Sequence, residues 1–253
     1  MKPIVALQLY TIRDFTSQDL PGALAQVKAM GYDAVELAST YDLEAADYRK
    51  LLDNAGLKAV SAHVSIEELK KDTEGTIAKY KTLGCQVVCI PWAELKDLPG
   101  GDGFEETKAL INKAGAICKQ HGMILAYHNH EFEFNTLPCG SFVLDALMDA
   151  ICPDVLQIQP DLGWVKVAGQ DPVTYLKKYV GRCPSVHLKD ITKVGDKYED
   201  RPVGQGLLDI PNIAKAAEEV GVSVFIAELD DAVGITSMEA ARQSREYLKS
   251  LGY

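Results

Sequence analysis

The chain has no pair of cysteines at CxxC spacing, no basic run, no glycine-rich phosphate loop and no long apolar stretch. Each absence removes a class of function. Its six cysteines, Cys85, Cys89, Cys118, Cys139, Cys152 and Cys183, are scattered. None has the spacing of a structural zinc site or a redox pair, so they read as reduced thiols. Lys and Arg number 26 against 36 Asp and Glu, a net charge of -10. With no basic cluster to offset that charge, neither nucleic acid nor an anionic membrane is expected as a partner. No apolar run approaches the roughly 20 residues of a membrane span. The opening MKPIVALQLYTIRD is too short in apolar residues for a secretory signal and lacks a small-residue cleavage site, so a cytoplasmic location is expected. QLYTIRD, following the first apolar run, lacks the glycines of a dinucleotide-binding turn, which counts against an open doubly wound sheet.

What the sequence does contain is a regular alternation. At 253 residues, 47% apolar and 25% charged, the chain has the length and composition of one barrel of roughly 250 residues. Short apolar runs at 4–10, 33–38, 58–64, 86–92, 123–130, 155–160, 185–190 and 223–230 read as buried strands. Stretches with apolar residues at helical spacing follow them at 20–31, 43–56, 66–84, 104–122, 141–150, 172–181, 209–221 and 237–252. A long polar loop separates the seventh strand from its helix. Several helices end in glycine with a strand starting soon after, whereas the segments that follow strands are longer and more polar. That asymmetry predicts an α/β fold, a TIM (β/α)8 barrel made by a single domain over 1–253, with its chemistry on the face where strands end.

Four runs in the second half carry metal-type ligands at or near their C-terminal ends. MILAYHNHEFEF carries His128, His130, Glu131 and Glu133; VLQIQPDLGW carries Asp161; PSVHLKD carries His187; VSVFIAELD carries Glu228. In a closed parallel barrel all strand ends face one mouth, so these groups converge there. A mixed imidazole and carboxylate set suits one divalent cation, Mn, Co, Zn, Fe or Mg. Glu36 and His63 end strands two and three and share the mouth. They are candidates for catalysis or substrate binding, unless Glu36 pairs with Arg13. Gln8, at the end of the first strand, is a candidate substrate contact. Trp164 and Trp92 are candidates for an apolar wall against a sugar ring, and closeness to Asp161 favours Trp164. Lys189, read as lying on the alternate face of its strand from His187, is a candidate for binding a substrate oxygen unless it leaves the lumen. VGQG at 203–206 reads as a flexible loop that presents Gln205 to substrate.

LQLYTIRD, GYDAVELA, AYHNHEFEF, PDLGW with VAGQDP, VHLKD, VGQGLLD and AELD resemble the sugar phosphate isomerase/epimerase family of the xylose isomerase-like TIM barrels, over essentially the whole chain. The resemblance implies one divalent metal held by strands five to eight, and Asp161, His187 and Glu228 match its ligands. At strand five the epimerases carry a glutamate that also moves protons. The matching slot here is His128, with Glu133, or else Glu131, as the alternative reaching in from the loop. The resemblance also makes Glu228 a proton-transfer group, with His128, His63 and Glu36 as further acid/base candidates.

The chemistry implied is that of carbonyl compounds. A cation chelated by a carbonyl oxygen acidifies the neighbouring C–H and stabilises the enediolate. The expected function is a metal-dependent isomerase or epimerase of a sugar, keto-sugar or related polyol. A lyase or dehydratase of a keto-inositol or 3-keto-sugar is the alternative, because a histidine stands in the strand-five slot. The expected partner is a small-molecule carbohydrate, and a homo-oligomer is compatible with the sequence. Endonucleolytic DNA repair is opposed by the acidic composition and by the missing ligands of a multi-metal cluster. A non-catalytic sugar-binding barrel would need no metal.

Overall fold

The computed structural model describes residues 2–253. Seven parallel strands come first: β1 (Ile4–Gln8), β2 (Ala34–Leu37), β3 (Lys58–His63), β4 (Val87–Ile90), β5 (Ile124–His128), β6 (Gln157–Gln159) and β7 (Ser185–Leu188). An antiparallel hairpin follows, β8 (Asp190–Val194) with β9 (Lys197–Arg201), and then the eighth barrel strand, β10 (Val224–Ala227). The sheet order is β6-β5-β4-β3-β2-β1-β10-β7. The ring closes between β6 and β7 through an isolated Asp161–His187 bridge, with the His187 N–H donating to the Pro160 carbonyl at 3.0 Å. The expected TIM barrel is therefore observed, and its thinnest seam runs through two of the expected metal ligands.

Strand periodicity sorts the side chains into two populations. Leu7, Val35, Leu37, Val88, Ile90, Leu125, Tyr127, Ile158, Val186, Leu188 and Phe225 pack outward into the core shared with the helices. Ala6, Ala34, Val60, Val224 and Ile226 form a separate cluster, as do Val87, Cys89 and Ala126. These small and branched residues fill the lower lumen. One step further along the same faces stand Gln8, Glu36, His128, Gln159 and His187, all buried and polar. His187 and Lys189 are two residues apart and so share a face, which corrects the expectation that they alternate.

Helix starts follow local capping chemistry. Asp19, Ser65, Asp72, Asp171, Asp209 and Thr236 each accept a hydrogen bond from a backbone N–H three residues on. Asp72 explains one departure: it interrupts the expected 66–84 helix, which is Ile66–Lys71 followed by Thr73–Leu83. Asp161 likewise starts an extra short helix, Leu162–Val167, by accepting from the Trp164 N–H at 2.9 Å.

The expected polar loop after β7 is the β8–β9 hairpin. It is tied across to the end of β10, where the Asp200 carboxylate accepts from the Asp230 and Asp231 N–H groups at 2.6 and 3.1 Å. The expected flexibility of VGQG is also corrected. The buried Asp190 carboxylate accepts backbone N–H groups from Ile191, Gly204, Gly206 and Leu208 at 2.8–3.1 Å. A Cβ at Gly206 would stand 2.2 Å from Asp190 Oδ1, so the approach requires glycine. Asp190→Ala would strand these donors and should destabilise the protein by about 3 kcal/mol or more, read from urea unfolding midpoints. A change within about 0.5 kcal/mol would mean that the loop does not depend on this carboxylate.

Candidate active site

The upper lumen is a connected polar network. Glu36 lies at its centre, with no exposed surface. Its Oε1 accepts from Gln159 Nε2 at 2.7 Å, and its Oε2 accepts from Gln8 Nε2 at 2.7 Å. His187 spans two carboxylates: its Nε2 is 2.6 Å from Glu36 Oε2 and its Nδ1 is 2.7 Å from Glu228 Oε2. Gln159 Oε1 stands 3.0 Å from His63 Nε2 and 3.3 Å from His128 Nδ1, while its Nε2 also donates to Ser185 Oγ at 2.9 Å.

Above this network His128, Asp161, His187 and Glu228 are all buried, and each offers a ligand atom within 4.8 Å of the others. Asp161 uses Oδ1 to cap its helix, whereas its buried Oδ2 has no hydrogen-bond partner. Lys189, 1% exposed, places Nζ 3.4 Å from that oxygen and 3.4 Å from Glu228 Oε2, and it pairs closely with Asp230. An orphaned carboxylate oxygen beside two imidazoles and a second carboxylate fits a divalent cation in both donor chemistry and charge.

Burial and charge act against each other on these groups. Burial works to raise Glu36, but the imidazoles of His63 and His187 outweigh it and hold the carboxyl at about 2. Burial also works to raise Glu228, and there Lys189 and His187 prevail, so it stays ionised. Burial works to lower His187, but Glu228 and Glu36 raise it to about 10. Burial keeps His128 well below its ordinary value and brings His130 down to about 4, so both imidazoles are neutral near pH 7.

A cavity of 620 Å³ opens over the cluster. His128, His130, Glu228, Asp230 and Asp231 line it on one side, and His63, Tyr10 and Trp92 are among the residues lining the other.

A family model described as a xylose isomerase-like TIM barrel matches residues 24–251. The chain belongs to that family. Among relatives of this xylose isomerase-like barrel, an inosose dehydratase from Clostridium perfringens is 26% identical and aligns with 93% of this chain and 94% of its own length. The structure of a sugar phosphate isomerase/epimerase from Parabacteroides distasonis superposes with a TM-score of 0.82 at 24% identity, covering 99% of this chain and 97% of the other. An IOLI protein with a bound zinc atom gives a TM-score of 0.74 at 17% identity, covering 99% and 98%. At these identities the two structures bear on the fold alone.

The structure brings together Asp161, His187, Glu228 and His128, and it places His63 on the cavity wall. It separates the others. Glu133 faces away from the cluster because both its oxygens are occupied, by the Tyr127 hydroxyl at 2.9 Å and the His130 N–H at 2.8 Å. Glu131 is exposed. Glu36 and Gln8 are sealed beneath the cavity and brace His187 instead of meeting substrate. Arg13 does not pair with Glu36 but with Asp231 at 3.0 Å. Gln205 is exposed and donates to Gln243 Oε1 at 2.7 Å, away from the mouth. Trp164 packs near Lys189, whose Nζ is 5.0 Å from its ring, while Trp92 is the tryptophan that lines the cavity. Sequence reasoning missed Gln159 and Asp230. Gln159 carried a signal, since it is a polar residue at an inward position two before Asp161.

Two measurements test this arrangement. Protein loaded with Mn and dialysed should hold about one metal per chain, and the Asp161→Ala, Glu228→Ala double variant should hold none. Full metal content in that variant would place the ion elsewhere. Burial pushes Glu133 up to about 7, against the lowering effect of hydrogen bonds from the His130 N–H and Tyr127. A carboxyl raised in the folded state contributes stability that is full below its unfolded value near 4.5 and is lost as pH rises through about 7. Between pH 5 and 8 the wild type should therefore lose on the order of 1–3 kcal/mol relative to Glu133→Gln. Parallel urea-stability profiles for the two proteins would contradict this.

Proposed function

We propose that this barrel is a divalent-metal-dependent enzyme that removes a proton beside the carbonyl of a keto-sugar or cyclic keto-polyol and then expels a β-oxygen substituent, making it a lyase or dehydratase. The observation that carries this reading is the composition of the cluster. Strand five contributes an imidazole, His128, and Glu228 is the only carboxylate that both belongs to the cluster and lines the cavity. Epimerisation through paired carboxylates calls for one on each face of the substrate. Elimination calls for one base at the C–H and a separate proton donor at the departing oxygen, which a carboxylate and a neighbouring imidazole can supply. The inosose dehydratase relatives support the same direction.

Asp161, His187, Glu228 and His128 would hold the metal. When bound, it would supply Lewis-acid polarisation of the substrate carbonyl. Glu228, kept ionised by Lys189 and His187, accepts the proton from the carbon beside that carbonyl. His63, on the opposite side of the cavity from Glu228, is placed to pass a proton to the leaving oxygen. Glu36 holds His187 through Nε2 and so aims its Nδ1 at the cluster, where a bound cation would displace the proton now shared with Glu228. The small, branched lower-lumen residues beneath exclude water from below.

A second reading, isomerase or epimerase, begins with the same proton abstraction and returns the proton to carbon. Membership of the xylose isomerase-like family supports it. Product analysis separates the two readings, since elimination releases water or an alcohol and leaves an unsaturated ketone. Both require the C–H step. Glu228→Gln should slow deuterium entry from solvent into the carbon beside the carbonyl by about 10²–10⁴-fold with metal still bound. Exchange at the wild-type rate would make Glu228 structural and move the base to His63 or His128.

A further inference from the structure

The cavity extends well beyond the cluster that would do the chemistry. Only His128, His130, Glu228, Asp230 and Asp231 come from the half of the mouth built by β5 to β10. The rest of its wall belongs to the end of β3 and to the loops and helices that follow β1 to β4. A volume of 620 Å³ falls within the roughly 300–1,000 Å³ of sites that enclose drug-sized ligands, more than one sugar ring requires. Two aromatic rings in this wall are open to solvent, Trp92 at 49% and Tyr10 at 44% exposure. Large aromatic side chains left open to solvent in a cavity wall offer flat apolar faces with polar tips, which suit the C–H face of a sugar ring. Ser39 and Thr40 lie on the same side. The loop that carries them continues into Tyr41 and Asp42, the only non-glycine residues with positive φ among the described residues, at 51° and 55°. Backbone strain of this kind concentrates at ligand-binding loops.

The charges at this end are equally specific. Among the described residues, Arg13 is the only lysine or arginine lining the cavity. Its guanidinium is taken up by Asp231 Oδ1 at 3.0 Å and the Asp230 carbonyl at 2.6 Å, and it lies 4.2 Å from the Tyr10 ring centre. Glu68, Glu228, Asp230 and Asp231 line the same space. A phosphate would meet four carboxylates and no uncommitted cation, and no helix of eight or more residues presents its start to the cavity.

We infer that the half of the cavity walled by Trp92, Tyr10 and the 38–40 loop is a second subsite for a neutral ring, so that the substrate is an unphosphorylated glycoside of about disaccharide size whose reacting ring lies over the His128–Glu228 cluster. The inference rests on the proposed function in taking that cluster as the reacting end. It distinguishes this chain from a barrel shaped for a single keto-inositol ring.

Titration calorimetry of metal-loaded protein with glucose, cellobiose and glucose 1-phosphate tests the subsite without turnover. Cellobiose should bind about tenfold more tightly than glucose, the gain expected from one aromatic stacking contact. Trp92→Ala, at an exposed position, should abolish that gain. Glucose 1-phosphate should bind no better than glucose. Equal binding of glucose and cellobiose, a gain that survives in Trp92→Ala, tighter binding of the phosphate, or no binding by any of the three would each overturn the inference. A Trp92-dependent gain in a protein that shows no deuterium exchange would remove the proposed chemistry and keep the subsite.

Discussion

His187 held between two buried carboxylates is the interaction on which the rest of this structure depends. A buried imidazole spanning Glu36 and Glu228 fixes both of its nitrogens. Buried charges persist only where they are paired and hydrogen-bonded, and the surrounding layer meets that condition. Gln8 and Gln159 donate to Glu36, and Gln159 reaches on to Ser185, His63 and His128. The strands that supply these groups must therefore keep their register, since a one-residue slip would turn the network outward. His187 also forms half of the bridge that closes the ring between β6 and β7. Barrel closure and site geometry thus share two residues, His187 and Asp161. An outer carboxylate that orients a ligand imidazole is a recurring feature of metal centres, and Glu36 would take that position towards a metal-bound His187.

Charge balance explains why the layer above is built as it is. Asp161, Glu228 and Asp230 surround Lys189, which is buried and pairs with all of them. One lysine leaves this group acidic, and Asp161 Oδ2, which accepts no hydrogen bond, marks where the deficit lies. A divalent cation together with Lys189 would balance the three carboxylates. On this account Lys189 would not compete for the metal's place: it would neutralise the carboxylate that the metal leaves over. The hairpin after β7 completes the surround, because Asp200 fixes the backbone that carries Asp230 and Asp231.

The fold was legible because period-2 apolar runs and helical stretches alternate eight times, and the candidate ligands were legible because Asp161, His187 and Glu228 each follow such a run. What escaped were features decided by tertiary partners. Glu133 reads as a ligand beside His128, yet Tyr127 points outward and takes its carboxylate away from the lumen. Gln205 sits in a loop that looks mobile until Asp190, fourteen residues from Gly204 in sequence, is seen to bind that loop. Trp164 is near Asp161 in sequence, whereas Trp92, remote in sequence, reaches the cavity. Glu36 and Gln8 were rightly placed at strand ends, but their depth depends on how far each strand extends before its loop begins. Lys189 could have been placed correctly from periodicity alone, since it lies two residues beyond His187.

The central claim is that two imidazoles and two carboxylates, held by this network, bind one metal. X-ray absorption at the metal edge of zinc-loaded protein tests it directly. The account predicts a first shell of nitrogen and oxygen at about 2.0–2.2 Å with outer-shell scattering from two imidazoles, reduced to one in His128→Ala. A shell without imidazole scattering, or one containing sulfur, would contradict it.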